Sequence, residues 1–219
     1  MLRQLSMYIA AIPTMERKSA KGFSLLELLI TVAIAGILLG VGVPGFGSLI
    51  KESRISSQYN SLVGSLYQAR SEAIKGAADV TVCPKSGPGT NTCGGANDWE
   101  NGWIVFLDRT NASNEANASI NAGDEIISVK PRLKGGNTIS AIGSTTNAVT
   151  NVQTVSYVRY LQNGTSSLST GSIIICDETR GAPDSRALNI VQTGDIRRGA
   201  TTSANPAPLD AFNRPIVCP

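Results

Sequence analysis

One carboxylate stands inside the longest apolar stretch of the chain. Glu27 is the fifth residue after Gly22, and no charged residue follows it until Lys51. A charged side chain in an apolar environment is costly unless it is paired, so Glu27 requires a cationic partner. The chemistry expected at this position is charge pairing rather than catalysis.

Seven basic residues are candidates for contacting phosphate groups, and they fall into two clusters. The side chains of the first cluster would point to one side of an extended segment and form a small basic ridge: Lys130, Arg132 and Lys134. The alternative is that these charges protect the edge of a sheet. The second holds C-terminal arginines, for which a solvated hairpin surface is the alternative: Arg186, Arg197, Arg198 and Arg214. Residues 1–22 contain four of the 19 basic and one of the 16 acidic residues, so the remainder is neutral. Polyanion binding therefore requires a local cluster.

Trp99 and Trp103 flank a turn that leads into an apolar run. Exposed rings at this place could stack on nucleobases. Large aromatic side chains are usually buried, so we expect instead that both indoles cover one end of a sheet.

Four cysteines suit an exported protein in an oxidising compartment, and they allow three pairings. We expect Cys83 and Cys93 to close a short loop rich in Gly and Pro, and Cys176 and Cys218 to tie the C-terminal tail to an apolar strand. A zinc site is the alternative, but the chain has no histidine and no C-x-x-C pair, so we expect no metal site. Nucleophile elbows and phosphate-binding glycine loops are also missing from the sequence, so we expect neither an enzyme nor a cofactor.

A long N-terminal helix must position Glu27. Residues 28–50 carry no charge. At about 1.5 Å per residue, such a helix crosses a hydrocarbon layer roughly 30 Å thick, which predicts a transmembrane helix over residues 23–50. The alternatives are a plain single-pass anchor and a secretory signal peptide with an A-x-A cleavage site at residues 33–35. Neither alternative accounts for Glu27.

An amphipathic helix is predicted over residues 51–77 and a β domain over residues 78–219. Apolar residues recur every three or four positions in the helix: Ile55, Tyr59, Leu62, Leu66, Ala69 and Ala73. Short β-like runs then alternate with polar turns: residues 80–83, 103–107, 125–129, 155–161, 172–176 and 187–192. Because no helices intervene between the strands, we predict an α+β fold in which the helix packs on an antiparallel β domain. The strands could form one sheet or two packed sheets, and we expect two sheets.

The N-terminal segment resembles the class III signal of type IV pilins and pseudopilins. The resemblance rests on Gly22, Phe23 and Glu27 behind a basic leader, residues 1–22. It implies cleavage by a prepilin peptidase after Gly22 and N-methylation of Phe23. It also implies that Glu27 pairs with the N-terminal ammonium of a neighbouring subunit in a filament.

The β domain resembles the FimT/GspH family of minor pilins and pseudopilins. The resemblance rests on these residues in this order: Val82-Cys83-Pro84, Asp98, Trp99, Gly102, Trp103, Asp108, Gly164, Arg186, Gly194 and Arg197. In some FimT-type minor pilins a C-terminal Gly-Arg-x-Arg motif is implied to contact double-stranded DNA. Here Gly194 and Arg197 match that motif, whereas Asp195 stands in place of its first arginine.

The resemblance implies a minor pilin of a type IV pilus with a type IV pilin-like fold. Such a protein sits in the cell inner membrane by a single pass, with its β domain in the periplasm, and is then assembled into the pilus. Its partners would be other pilins or pseudopilins, the prepilin peptidase, the inner membrane and double-stranded DNA. Two alternatives stay open: a pseudopilin of the type II secretion system (protein H type), and a membrane-anchored binding domain that does not polymerise.

Overall fold

The computed structural model describes residues 22–109, 119–144, 153–167 and 170–218, with the backbone alone for residues 41–45. The predicted leader over residues 1–22 lies almost entirely outside these ranges. The chain divides into two compact units, and the boundary falls between Gly45 and Phe46.

One long helix, α1 (Leu25–Gly76), precedes all the strands. Its C-terminal part carries the apolar stripe that the sequence predicts. Five members of the stripe are fully buried and Tyr59 is partly buried: Ile55, Leu62, Leu66, Ala69 and Ala73. The stripe is therefore the side of α1 that packs on the β domain. The helix ends at Gly76, where the periodic apolar pattern of the sequence also ends.

Within the described residues, no helix is both long enough and apolar enough to cross a membrane. The transmembrane helix over residues 23–50 stays a prediction. The side chains of residues 41–45, in the second half of that predicted span, lie outside what the structure describes.

The described residues form two antiparallel sheets. The first has the strand order β3-β2-β1-β6, with β1 (Asp79–Pro84), β2 (Trp103–Asp108), β3 (Glu125–Val129) and β6 (Val158–Tyr160). The second has the order β5-β4-β7-β8-β9, with β4 (Thr138–Ser144), β5 (Gln153–Thr154), β7 (Thr170–Asp177), β8 (Gly181–Val191) and β9 (Ile196–Arg198). The predicted α+β class with two packed sheets is confirmed.

The main core lies where α1 meets both sheets. It contains Leu62 and Leu66 from α1, Val82 from the first sheet, and Ile173 and Leu188 from the second. Each of these side chains is at most 1% exposed. Because burial of a large aliphatic side chain contributes about 2 kcal/mol, contacts with both sheets fix the position of this half of the helix.

The strand predictions miss β4, β5 and β9, begin β8 at residue 187 rather than at Gly181, and are wrong in part for residues 155–161. β4 is rich in small residues, and its inward side chains are Ile139 and Ala141, so its strand structure depends on pairing with β7. Residues 155–157 belong to neither sheet. The preceding strand, β5, pairs with β4 in the second sheet, whereas the following strand, β6, pairs with β1 in the first sheet. The predicted single strand is therefore a crossing from one sheet to the other.

The structure contains both disulfides that the sequence predicts. The Cα atoms of Cys83 and Cys93 are 5.5 Å apart, and those of Cys176 and Cys218 are 5.7 Å apart. The first bond closes a short loop after β1. The second fastens the C-terminal tail to β7, where Ile216 of the tail is buried in a small second core.

Candidate functional site

Ser24 caps the first turn of α1 and holds Glu27 in helical geometry. The Ser24 Oγ accepts a hydrogen bond from the backbone N–H of Glu27 at 3.1 Å, and its carbonyl accepts one from Leu28 at 3.2 Å. The spacing of Ser24 and Glu27 is that of a capping box. A carboxylate in the first turn is also stabilised by the positive end of the helix dipole. Glu27 thus lies in the first turn of α1, four residues after Phe23.

An exposed apolar surface surrounds this carboxylate. Every described side chain from residue 22 to residue 40 is exposed, with Phe23 at 83% and Leu25 at 78%. A helix surface that is apolar all round is stable only when lipid or another helix covers it. The residues predicted for processing and assembly, Gly22, Phe23 and Glu27, therefore lie together on a surface that requires a partner.

The seven predicted basic residues do not form one patch. Three of them lie in the connection between β3 and β4: Lys130, Arg132 and Lys134. That connection faces the flank of α1 that carries Arg54, whereas Arg186 and Arg198 face the flank that carries Ser56. At about 100° per residue, Arg54 and Ser56 are roughly 160° apart around the helix. The three cations of the β3–β4 connection therefore lie on the opposite flank of α1 from Arg186 and Arg198.

A recess of about 300 Å³ opens between α1 and residues 130–134, and we refer to it as the basic recess. Four cationic side chains line it: Arg54, Lys130, Arg132 and Lys134. Its apolar lining comes from Trp103, Pro131 and Leu133. The sequence analysis missed Arg54, because the apolar periodicity of α1 does not tell which polar flank faces the β3–β4 connection.

The block from Asp98 to Trp103 positions the wall of the basic recess. Gly102 has φ +92°, and a side chain there would strike the backbone carbonyl of Lys130. Lys130 donates its backbone N–H to the Trp103 carbonyl at 2.8 Å, and Leu133 donates to the Glu100 carbonyl at 2.9 Å. The backbone of this block therefore holds residues 130–134 next to the start of β2.

Both indoles of this block are buried, as predicted. Trp99 is 0% and Trp103 is 2% exposed. The Nε1 of Trp99 donates to the Val155 carbonyl at 3.1 Å, and that of Trp103 donates to the Ser65 Oγ at 2.9 Å. The ring faces are consequently not available for stacking on nucleobases.

Arg197 and Arg198 occupy β9, an edge strand of the second sheet. Arg198 lies opposite Leu188, and Arg197 lies opposite Asn189. Successive residues of a strand project from opposite faces of the sheet. The Arg198 side chain therefore leaves the face that is turned to α1, and the Arg197 side chain leaves the face that is turned to the C-terminal tail. Both are exposed, and neither forms an ion pair with a described residue. They share the rim of the sheet.

Arg186, in contrast, is held in an ion-pair network that fastens α1 to the β7–β8 turn. Its Nη2 contacts the Glu52 Oε1, and the Nη1 of Arg180 lies 3.2 Å from the other carboxylate oxygen of Glu52. Arg180 also donates Nε and Nη2 to the Asp177 Oδ2, at 3.1 and 3.0 Å. Burial favours the neutral form of Asp177, but hydrogen bonds from Arg180 and Thr179 outweigh burial and lower its pKa to about 2.

Asp177 is expected to make the fold acid-sensitive. Its folded pKa lies below the unfolded value of about 4, so its contribution to stability is full above that pH. The contribution, about 2 kcal/mol, is lost as the pH falls from about 4 to about 2. The free energy of unfolding can be measured by urea titration of the full-length chain, followed by tryptophan fluorescence. The difference in this free energy between wild type and Asp177→Asn should decrease by about that amount on acidification. A difference that stays constant with pH would rule out this role.

Arg214 is engaged within the C-terminal tail. Its Nη2 and Nε lie 2.7 and 2.9 Å from the Oδ2 of Asp210, whose side chain is 4% exposed. The guanidinium also lies 4.9 Å from the centre of the Phe212 ring. Of the four predicted C-terminal arginines, only Arg197 and Arg198 are thus free of an ion pair with a described residue.

Asp195 belongs to a clamp that the sequence analysis missed. Arg70 of α1 donates Nη1 to the Asp195 Oδ1 at 2.9 Å, Nη2 to the Thr193 carbonyl at 2.8 Å, and Nε to the Gly164 carbonyl at 3.1 Å. Gly194 has φ +80°, and a side chain there would strike that same Gly164 carbonyl. Hydrogen bonds from Arg70 and Thr193 lower the pKa of Asp195. The residue that departs from Gly-Arg-x-Arg therefore holds the β8–β9 turn on α1.

Asp195→Arg, which restores the Gly-Arg-x-Arg pattern, is expected to loosen this turn rather than to create a basic site. The new guanidinium would face Arg70, and like charges at contact distance repel. Hydrogen exchange of the Gly194 amide, which donates to the Val191 carbonyl at 2.8 Å, should become several-fold faster. Asp195→Asn is the matched control and should have the smaller effect. Equal protection in wild type and Asp195→Arg would show that the clamp is unimportant.

Family comparisons match the chain in two places. The family described as type II transport protein GspH matches residues 58–194, more than half of the chain. The chain belongs to the GspH family. The prokaryotic N-terminal methylation motif matches residues 17–43 of this GspH-family chain, a range that includes Gly22, Phe23 and Glu27. The protein is thus a minor pilin or pseudopilin of the type IV pilus or type II secretion kind, and its family implies assembly with other pilins.

Solved structures similar to this GspH-family chain come from both kinds of system. The type IV minor pilin FimU of Pseudomonas aeruginosa is 20% identical, with 73% of this chain and 96% of that chain covered and a TM-score of 0.45. The minor pseudopilin EpsH from the type 2 secretion system of Vibrio cholerae is 13% identical, with 67% and 97% covered and a TM-score of 0.41. No curated protein sequence matches the chain.

Proposed function

We propose that this chain is a minor pilin of a type IV pilus, built into the filament through the N-terminal part of α1. The observation that carries the proposal is the capped Glu27 at the start of an exposed apolar helix. A buried carboxylate is stable when a cation from a neighbouring subunit pairs with it, and helix packing covers the apolar surface at the same time. The proposed role is structural, with no enzymatic activity and no cofactor.

Processing and location follow from the same segment. Cleavage by a prepilin peptidase between Gly22 and Phe23 would free the ammonium that Glu27 needs, and Phe23 would then be N-methylated. Before assembly, the charge-free residues 28–50 would hold the chain in the inner membrane by a single pass. The two disulfides favour an oxidising compartment, so the β domain would lie in the periplasm.

The test is the location of the chain in cells that make pili. An epitope-tagged chain should appear in the sheared filament fraction together with the major pilin. It should be missing from that fraction in cells that lack the pilus assembly ATPase. A chain that stays entirely in the membrane fraction of piliated cells would contradict assembly and favour a non-polymerising binding domain.

A pseudopilin of the type II secretion system is the second candidate. The observation in its favour is the match of residues 58–194 to a family described as a type II transport protein. Deleting the gene separates the two candidates. Loss of piliation with normal protein secretion supports the pilus, whereas loss of secretion with normal pili supports the pseudopilin.

Double-stranded DNA is the proposed ligand of Arg197 and Arg198 within the pilus. Both side chains are exposed at the rim of the second sheet, and neither is ion-paired with a described residue. Arg186 and Arg214 leave the proposal because Glu52 and Asp210 neutralise them.

The DNA proposal predicts a salt-dependent loss of affinity. Arg197→Ala/Arg198→Ala should weaken binding of a DNA duplex to the full-length chain about tenfold at low salt, and lower the salt slope by about 2. Lys75→Gln, which removes an exposed charge from the last turn of α1, is the control and should change little. Unchanged affinity in the double variant would remove both arginines from the DNA site.

A further inference from the structure

The basic recess concentrates cations that the fold does not use. Among the described residues, none of its four cationic side chains forms an ion pair: Arg54, Lys130, Arg132 and Lys134. Of the eight other described arginines, only Arg197 and Arg198 on β9 form no ion pair with a described residue, and six are paired with carboxylates: Arg70, Arg109, Arg159, Arg180, Arg186 and Arg214. Like charges gathered around one concavity raise its positive potential and attract an anionic ligand.

The recess is also pre-organised. Gln58 of α1 donates its Nε2 to the Lys134 carbonyl at 2.9 Å, and its Oε1 accepts from the Nδ2 of Asn137 at 2.7 Å. On the other wall, Leu133 packs against the main core. A recess that is already formed requires little ordering when a ligand binds, so more of the contact energy appears as affinity.

We propose that the basic recess binds an extended acidic segment of a partner protein. Carboxylates of the segment would pair with the rim cations, and one apolar side chain would lie on Pro131 and Leu133. The proposal goes beyond filament assembly, because it uses none of the N-terminal residues that assembly requires.

Shape favours a peptide over a DNA duplex. The recess has two walls and a volume of about 300 Å³, the size of a small-ligand pocket, whereas the phosphates of a duplex lie on a broad convex surface. β3, which ends at Val129 next to Lys130, is an edge strand of the described first sheet. Within the described residues no strand pairs with its outer edge, which therefore offers main-chain hydrogen bonds to an extended segment that approaches the recess.

The test is fluorescence anisotropy with the full-length chain in a nonionic detergent. The probe is a labelled twelve-residue peptide in which glutamates alternate with alanines and one central leucine. Arg54→Gln/Lys134→Gln should weaken binding about tenfold at low salt. The matched control is Lys75→Gln/Arg109→Gln, which removes two exposed charges outside the recess and should stay within about twofold.

Each outcome decides the proposal. Loss of affinity in the recess variant alone supports it, and a peptide with lysine in place of glutamate should then fail to bind. No binding of the acidic peptide to the wild-type chain overturns it, as does an equal loss in both double variants. A labelled DNA duplex that binds more tightly than the peptide, and loses affinity in the recess variant, overturns it in favour of nucleic acid.

Discussion

Glu27→Gln is expected to lower the amount of this chain in sheared filaments about tenfold or more. Glutamine keeps the helix and the size of the side chain but removes the charge that would pair with the ammonium of Phe23 on a neighbouring subunit. Removing one partner from a buried ion pair leaves the other charge uncompensated, at a cost of about 3–5 kcal/mol. Since about 1.4 kcal/mol is already a factor of ten in an equilibrium, incorporation should fall below ready detection.

The control for this prediction is Glu72→Gln on the same helix. Glu72 pairs with Lys75 at 3.6 Å, both side chains are exposed, and the substitution should leave incorporation unchanged. Quantitative immunoblots of membrane and sheared fractions give the ratio for each variant. If the Glu27→Gln chain enters filaments as well as wild type, the proposed ion pair has no role in assembly.

Loss of the bond between Cys176 and Cys218 is expected to destabilise the β domain more than loss of the bond between Cys83 and Cys93. The first closes 42 residues of chain and the second closes 10. In the chain-entropy description, the longer loop is worth about 4 kcal/mol and the shorter one about 3 kcal/mol. The longer loop also holds Ile216 on the second sheet, so its opening exposes a small core.

Urea unfolding of the two double serine variants measures this difference. The full-length chain carries its only two tryptophans in the main core, which makes fluorescence a direct report of unfolding. Reduced wild-type protein should be less stable than either variant, because it loses both bonds. If Cys83→Ser/Cys93→Ser lowers the free energy of unfolding more than Cys176→Ser/Cys218→Ser does, the loop-length argument is contradicted.

The sequence predicts the parts of this fold that obey a local period. The buried stripe of α1 repeats every three or four residues, and β1, β2 and β3 are runs rich in β-branched and aromatic residues. The types of these elements therefore follow from the residues alone, and the bounds of the three strands follow to within one residue. β4 does not, because its small residues become a strand only beside β7. The change of sheet at residues 155–157 is likewise decided by pairing across the chain.

For the candidate site, the sequence identifies the charged residues but not their partners. Glu52 and Arg186 are 134 residues apart, and Arg70 and Asp195 are 125 apart, so spacing carries no sign of either pair. Arg54 joins the basic recess for the same reason, through the way in which α1 lies against the β3–β4 connection. The predicted N-terminal site, in contrast, depends on no long-range pairing, because Gly22, Phe23 and Glu27 are within one short segment.

The measurement that tests assembly through the N-terminal helix most directly is intact-mass and peptide mass spectrometry of the native protein from sheared filaments. The expected mature chain begins at Phe23, carries one methyl group on its amino terminus, and has lost residues 1–22. A protein that retains its leader, or that begins at a residue other than Phe23, would leave Glu27 without the ammonium it is proposed to meet and would contradict the assembly mechanism.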